Sequence, residues 1–165
     1  MDTKEFFSRF RAGERNFSGL DLSKIDLTLE NLSHTNFEQA NFSGAILNGT
    51  DLIGANLIGA NLTGAKLIGA DLSGADLSEA NLSNTLMSSA TLTGAQLPKA
   101  DLRKAVLSGA NLAGANLRDA KLRGANFAGA DLHGADLFGA EALRSELLEG
   151  ILNQTIMPDG TLYET

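Results

Sequence analysis

Two histidines, His34 and His133, and two aspartates twenty residues apart, Asp51 and Asp71, are the side chains of this 165-residue chain best suited to acid–base or metal chemistry. Such chemistry needs the groups within a few ångströms of one another. Serines and threonines are numerous, but a hydroxyl nucleophile needs a base beside it, and no histidine is placed to activate any of them. Cysteine is absent, which removes disulfides, thiolate metal sites and cysteine nucleophiles. Glycine is abundant, yet neither a G-x-x-x-x-G-K-[ST] loop nor a G-x-G-x-x-G between strand and helix occurs. Whether any of these groups meet depends on the elements that carry them.

Those elements are set by a repeat. Residues 51–75 read DLIGA NLIGA NLTGA KLIGA DLSGA. A large apolar residue (Leu, Phe or Met) recurs at every fifth position from Phe17 to Leu137, which makes 25 pentapeptides without a slip. Ala precedes this centre by two residues in 18 of the 25, Asn or Asp precedes it by one in 18, and Gly follows it by two in 15. A period of five fits neither a helix nor a flat strand. Gly at this density would also cost a helix about 1 kcal/mol per residue relative to Ala. Each pentapeptide is therefore a short extended piece followed by a bend, with the centre and the preceding Ala on one face. Bends of one sense coil the chain with Leu and Ala inward, and coils stacked about 4.8 Å apart form an all-β solenoid.

The A-(N/D)-L-x-G pattern resembles the pentapeptide-repeat protein family over about residues 15–140. The resemblance implies a right-handed quadrilateral β-helix, four pentapeptides to a coil and about six to seven coils in all. The GERNF at 13–17 and the TIMPDGT at 155–161 resemble cyanobacterial members. The residues lend the square coil independent support. Seven positions before a centre break the Asn/Asp rule, and four of them, Ile46, Lys66, Leu86 and Val106, are spaced by multiples of twenty. A twenty-residue coil gathers them into one column. In that coil His34 and His133 lie about 24 Å apart and share neither a metal nor a substrate. Asp51 and Asp71 become neighbours, either coupled so that one pKa rises or a cation binds, or simply two solvated surface carboxylates.

Two surface features depart from the repeat. The column Ile46, Lys66, Leu86 and Val106, with Ile68 beside it, puts apolar residues where the family's arrangement points outward, which reads as a protein-contact stripe. The second is a basic belt of Lys99, Arg103, Lys104, Arg118, Lys121 and Arg123: residues 99–125 sum to +4 in a chain of net charge −7. Stacking would set Lys99 between Glu79 and Asp119 and Asp101 beside Lys121, which makes the belt either a set of surface ion pairs or a dock for an acidic partner.

The ends need cover, because a solenoid otherwise exposes unpaired edges and a cut core. Three segments result: an N-terminal cap over 1–14, the β-helix over 15–140, and a C-terminal cap or distorted last coil with tail over 141–165. DTKEFFSRFR at 2–11 predicts a short helix with Phe6, Phe7 and Phe10 on adjoining positions, to plug the first coil or to bind a partner. EALRSELLEG at 141–150 reads as a helix with a Gly stop. Apolar residues nevertheless persist in phase at Leu147, Leu152, Met157 and Leu162, as a distorted coil requires, and PDG at 158–160 is a turn.

The expected function is that of a non-enzymatic, rigid protein-interaction scaffold for an unidentified partner, without cofactor or metal, as a monomer or an end-to-end dimer. The acidic balance disfavours direct nucleic-acid binding. No window of about 18 residues is free of polar groups, so no membrane span is expected, and with no apolar signal stretch at the start a cytoplasmic location follows. The family resemblance implies two alternatives: a DNA-mimicking modulator of DNA gyrase, and a regulatory signalling protein in cyanobacterial differentiation.

Overall fold

The computed structural model describes residues 1–164. Parallel bridges join each residue before a centre to the residue twenty positions later, as in Asn36↔Asn56, Asn41↔Asn61, Ile46↔Lys66 and Asp51↔Asp71. These pairs sort into four columns, here called sides one to four, headed by Asn16, Asp21, Asp26 and Asn31. A side is too short for a conventional strand, so the pairing appears as single bridges repeated up the stack.

The bend is visible in the hydrogen bonds. The N–H of the Ala after each corner donates to the carbonyl of the preceding centre, for example Ala55 to Leu52 at 3.0 Å. The corner residue between them is left-handed, as at Gly54 with φ +62°. That is the signature of a type II turn, and it explains why Gly dominates this position. The Asn or Asp before the centre has its own task. Its Oδ1 accepts the N–H two residues on, as Asp71 does from Ser73 at 3.0 Å and Asn61 from Thr63 at 3.1 Å. The repeat thus spends its polar residue on a local Asx bond that holds the side in register.

The inward assignment of centre and Ala holds. Leu52, Leu57, Leu62 and Leu67 are fully buried, and so are Ala60, Ala65 and Ala70. Where Thr replaces Ala its hydroxyl is satisfied inside: Thr50 Oγ1 donates to the Leu27 carbonyl at 2.8 Å and Thr155 Oγ1 to that of Leu132 at 2.6 Å.

At the N-terminus α1 (Thr3–Arg11) begins at Asp2, whose carboxylate accepts the Glu5 N–H at 2.8 Å. Its Phe6 is fully buried, with its ring centroid 4.7 Å from that of Phe17 and 6.5 Å from that of Phe37. Phe7 and Phe10 are only partly buried.

The C-terminus combines the two expectations. The helix is a single turn, α2 (Arg144–Leu147), and bridges resume after it at Asp131↔Ile151 and Asp136↔Ile156. Glu146 makes the insertion possible. Its carboxylate accepts the Gly124 N–H at 2.9 Å and the Leu143 N–H at 3.0 Å, in place of a ladder carbonyl. Leu147, Leu152 and Met157 are buried in phase, but Leu162 is not: it is 52% exposed. The PDG turn reverses the chain, so β2 (Leu162–Tyr163) pairs antiparallel with β1 (Thr155–Ile156) instead of starting another coil.

Candidate contact surface

The column picked out by its departures from the Asn/Asp rule is a physical column. Ile46, Lys66, Leu86 and Val106 follow one another on side three, between Asp26 and Asn126. The carbonyls of Lys66, Leu86 and Val106 accept the N–H groups of Leu47, Leu67 and Met87 at 2.7, 2.7 and 2.8 Å, so the row is fixed by backbone on every rung. Leu86 and Ile68 stand out to solvent at 37% and 45% exposure, and Lys66 is exposed, whereas Ile46 and Val106 are half-buried. The row is therefore shallower than a fully outward stripe, because stacked neighbours 4.8 Å apart shade each other.

Giving up Asn at these positions removes local acceptors. One loss is made good across coils: the Ile68 N–H donates to Asn48 Oδ1 at 3.0 Å. Further along, the Ser88 and Ser108 hydroxyls pair at 3.0 Å.

One exposed apolar residue near this row does not follow from the Asn/Asp rule. Leu29 occupies a corner next to side three, where Gly is the rule, with φ +62° and 79% of its surface exposed. Its Cδ2 leans over Gly49, 2.7 Å from where a Cβ would stand. A large residue in the Gly column was the available signal.

The basic belt divides over two sides and their corners. Arg103 pairs with Asp101 at 2.6 Å on side two, and Arg118 pairs with Asp136 at 2.8 Å on side one while lying 4.7 Å from the centroid of the Phe138 ring. The Arg103 guanidinium holds the Asp101 carboxyl below its usual range, with Lys121 adding to the effect. The expected neutralisation thus takes another route. Lys121 does sit beside Asp101 in the ladder, but the carboxylate is bound by Arg103 two residues along the same side. Lys99, Lys104, Lys121 and Arg123 make no ion pair among the described residues, so the Glu79–Lys99–Asp119 column does not close into one. Lys99 and Lys104 stand at corners and project away from the stack, where a long lysine chain gains little from being held.

Of the candidate chemical groups, the histidines stay apart and the two aspartates come together. His34 and His133 lie on side four or its corner, many coils from each other. Asp51 and Asp71 are ladder neighbours, and each uses an oxygen on its own Asx bond, to Ile53 at 2.9 Å and to Ser73 at 3.0 Å. No helix among the described residues is long and apolar enough to cross a membrane.

The family model described as pentapeptide repeats (8 copies) matches residues 31–67, 70–109 and 100–139. The chain belongs to the pentapeptide-repeat family. Members of this family are generally structural or binding proteins, and membership implies a right-handed β-helix solenoid. QnrB1, a plasmid-mediated fluoroquinolone resistance protein, is 25% identical in one structure, with 86% of this chain and 79% of that one covered at a TM-score of 0.53. HetL, from the cyanobacterium Nostoc sp. strain PCC 7120 and involved in heterocyst differentiation regulation, is 31% identical over 99% of this chain and 100% of its own, at a TM-score of 0.34. No curated protein is similar enough to match.

Proposed function

We propose that the protein is a non-enzymatic interaction scaffold whose contact surface is the row Ile46, Lys66, Ile68, Leu86 and Val106. The observation that carries this reading is the alignment of these residues on one side of a rigid stack. Four departures from the repeat fall on successive rungs of a single ladder. The other three departures, Thr91, Gln96 and Lys121, fall singly on sides four, one and two, so only side three collects a consecutive run. Their cost, a lost Asx bond at each rung, argues that something else is gained there.

The finer architecture belongs to the same proposal. A four-sided coil of about six to seven turns over 15–140 is closed by segments 1–14 and 141–165, so that the sides remain for binding. The belt residues Lys99, Lys104, Lys121 and Arg123, lacking ion pairs, extend the surface toward an acidic partner, while Arg103 and Arg118 are engaged by carboxylates. A cytoplasmic, cyanobacterial setting is part of this reading.

Partner capture from a lysate of the source organism tests it. Wild type is compared with an Ile46→Asp/Leu86→Asp/Val106→Asp variant whose folding is checked by circular dichroism. A partner held by wild type and lost by the folded variant supports the row as the binding site; equal capture by both sinks it.

A second reading, modulation of DNA gyrase through a DNA-like rod, draws on the similarity to QnrB1. The positive charges on side two work against it, since mimicry needs an unbroken negative field. A gyrase supercoiling assay that shows no effect of the added protein would remove it.

A further inference from the structure

Side three differs from the other sides in charge as well as in polarity. Between its second and fifth rungs, Ile46 to Val106, none of its outward positions is acidic, and Asp26 and the adjoining Glu30 stand only at its first rung, whereas over the same span side one carries Asp76, side two Asp101, and side four Asp51 and Asp71. In a chain of net charge −7 this is the exception. Its charges over that span are positive: Lys66 lies in the row, and Lys104 stands at the corner it shares with side two. One coil earlier Leu29 adds an apolar residue at the opposite edge of the side, at the corner shared with side four and on the rung headed by Asp26, and it violates two rules at once, a left-handed backbone at a bulky residue and 79% exposure of a leucine.

The row also excludes one mode of recognition. The N–H groups of Ile46, Lys66, Leu86 and Val106 all donate within the stack, at 2.8, 2.9, 3.0 and 2.9 Å, so the row has no continuous backbone edge for a strand to join, although the N–H groups of Asn48, Ser88 and Ser108, two residues on, have no acceptor within the stack among the described residues. A partner therefore docks mainly through side chains, with these isolated N–H groups as added donors. Rungs recur about every 4.8 Å, close to the 5.4 Å pitch of an α-helix laid along the stack. From Leu29 at one edge of the side to Val106 at the other the apolar residues climb four rungs, about 19 Å, or about 13 residues of helix laid obliquely across the side.

Resting on the scaffold reading above, we propose that side three receives an acidic amphipathic helix of about 13 residues from a partner protein. Its apolar stripe lies on Leu29, Ile46, Ile68, Leu86 and Val106, and its carboxylates face Lys66 and Lys104.

The test is selection of a displayed library of 15-residue helix-forming peptides on the full chain, followed by fluorescence anisotropy with one labelled selected peptide. The selected pool should be rich in Asp and Glu, with apolar residues spaced i, i+3 or i+4, and i+7. Binding should weaken at least about tenfold with Lys66→Glu/Lys104→Glu, and should fall with added salt. Leu29→Gly should weaken it several-fold without lowering the melting temperature. If peptides are selected that Leu86→Ser releases but that show no acidic excess or helical spacing, the acidic-helix inference is wrong while side three stands as a contact surface. If Leu86→Ser and Lys66→Glu leave binding unchanged, or if nothing is selected, the contact-surface reading fails with it.

Discussion

Sides three and four stand on the same core and spend their outer residues differently. Beneath side four lie Leu52, Leu72, Leu92 and Leu112, and beneath side three Leu47, Leu67, Met87 and Leu107, all fully buried. Above that layer side four repeats the Asx bond, with Asp51, Asp71, Asn111 and Asp131 accepting N–H groups at 2.9–3.0 Å. Side three offers Ile46, Lys66, Leu86 and Val106, none of which can accept from the N–H two residues on. The coil's stability therefore comes from inside and from the ladders. The Asx layer is an increment that can be given up on one side, which is how a monotonous repeat gains a distinct surface.

The largest expected effect tests the part of this comparison that should show no difference. Leu72→Asp under side four and Leu67→Asp under side three both place a charge in an apolar interior with no partner. Both should unfold the middle coils, seen as loss of the cooperative melt in circular dichroism. The milder Leu72→Ala should cost about 2–5 kcal/mol. An unchanged melt for either aspartate variant would mean that the centres do not face inward.

Next come the outer residues, where the sides should part. Asp71→Ala removes the acceptor of the Ser73 N–H and hydroxyl and should cost about 1 kcal/mol in a urea titration. Lys66→Ala, with no such bond, should stay within about 0.5 kcal/mol of wild type. Leu86→Asn sharpens the contrast from the other direction: it restores an Asx acceptor for the Ser88 N–H and should stabilise by a few tenths of a kcal/mol up to about 1 kcal/mol. Equal losses from Asp71→Ala and Lys66→Ala would remove the Asx layer as the distinction between sides.

Much of this was legible because five and twenty are both arithmetic. Inward centres, small Ala neighbours and the Ile46–Lys66–Leu86–Val106 column follow from spacing alone, since a stack returns each residue to the one twenty positions on. Leu29 escaped because a column of glycines is noticed for its glycines, and what a leucine does there depends on the φ of the turn. The ion pairs of Arg103 and Arg118 escaped because reach along a side competes with reach between coils, and only side-chain geometry decides between them. The last coil was ambiguous for a related reason. α2 and the in-phase Leu147, Leu152 and Met157 coexist only because Glu146 substitutes for a ladder carbonyl, a role its spacing does not announce.

The smallest effect concerns acid. Asp26 heads side three and is the one member of that column with a carboxylate Asx bond; the Thr28 hydroxyl, and then its N–H, hold the Asp26 carboxyl below the usual range. A carboxyl whose pKa is lower folded than unfolded contributes stability that is present above its unfolded value, about pH 4, and is lost as pH falls through the folded value. Asp21 on side two behaves likewise, held down by the Ser23 hydroxyl and N–H and further by the N-terminal charge. The melting temperature should therefore decline below about pH 4. Asp26→Asn keeps the acceptor without the titration, so it should flatten that decline while leaving the melt at pH 7 almost unchanged. Leu86→Asn adds an acceptor that does not titrate and should shift the whole curve without altering its slope. A pH profile of Asp26→Asn that overlays wild type would show that the acid limb is set elsewhere, and that the head of side three is as indifferent to acid as the apolar row that follows it.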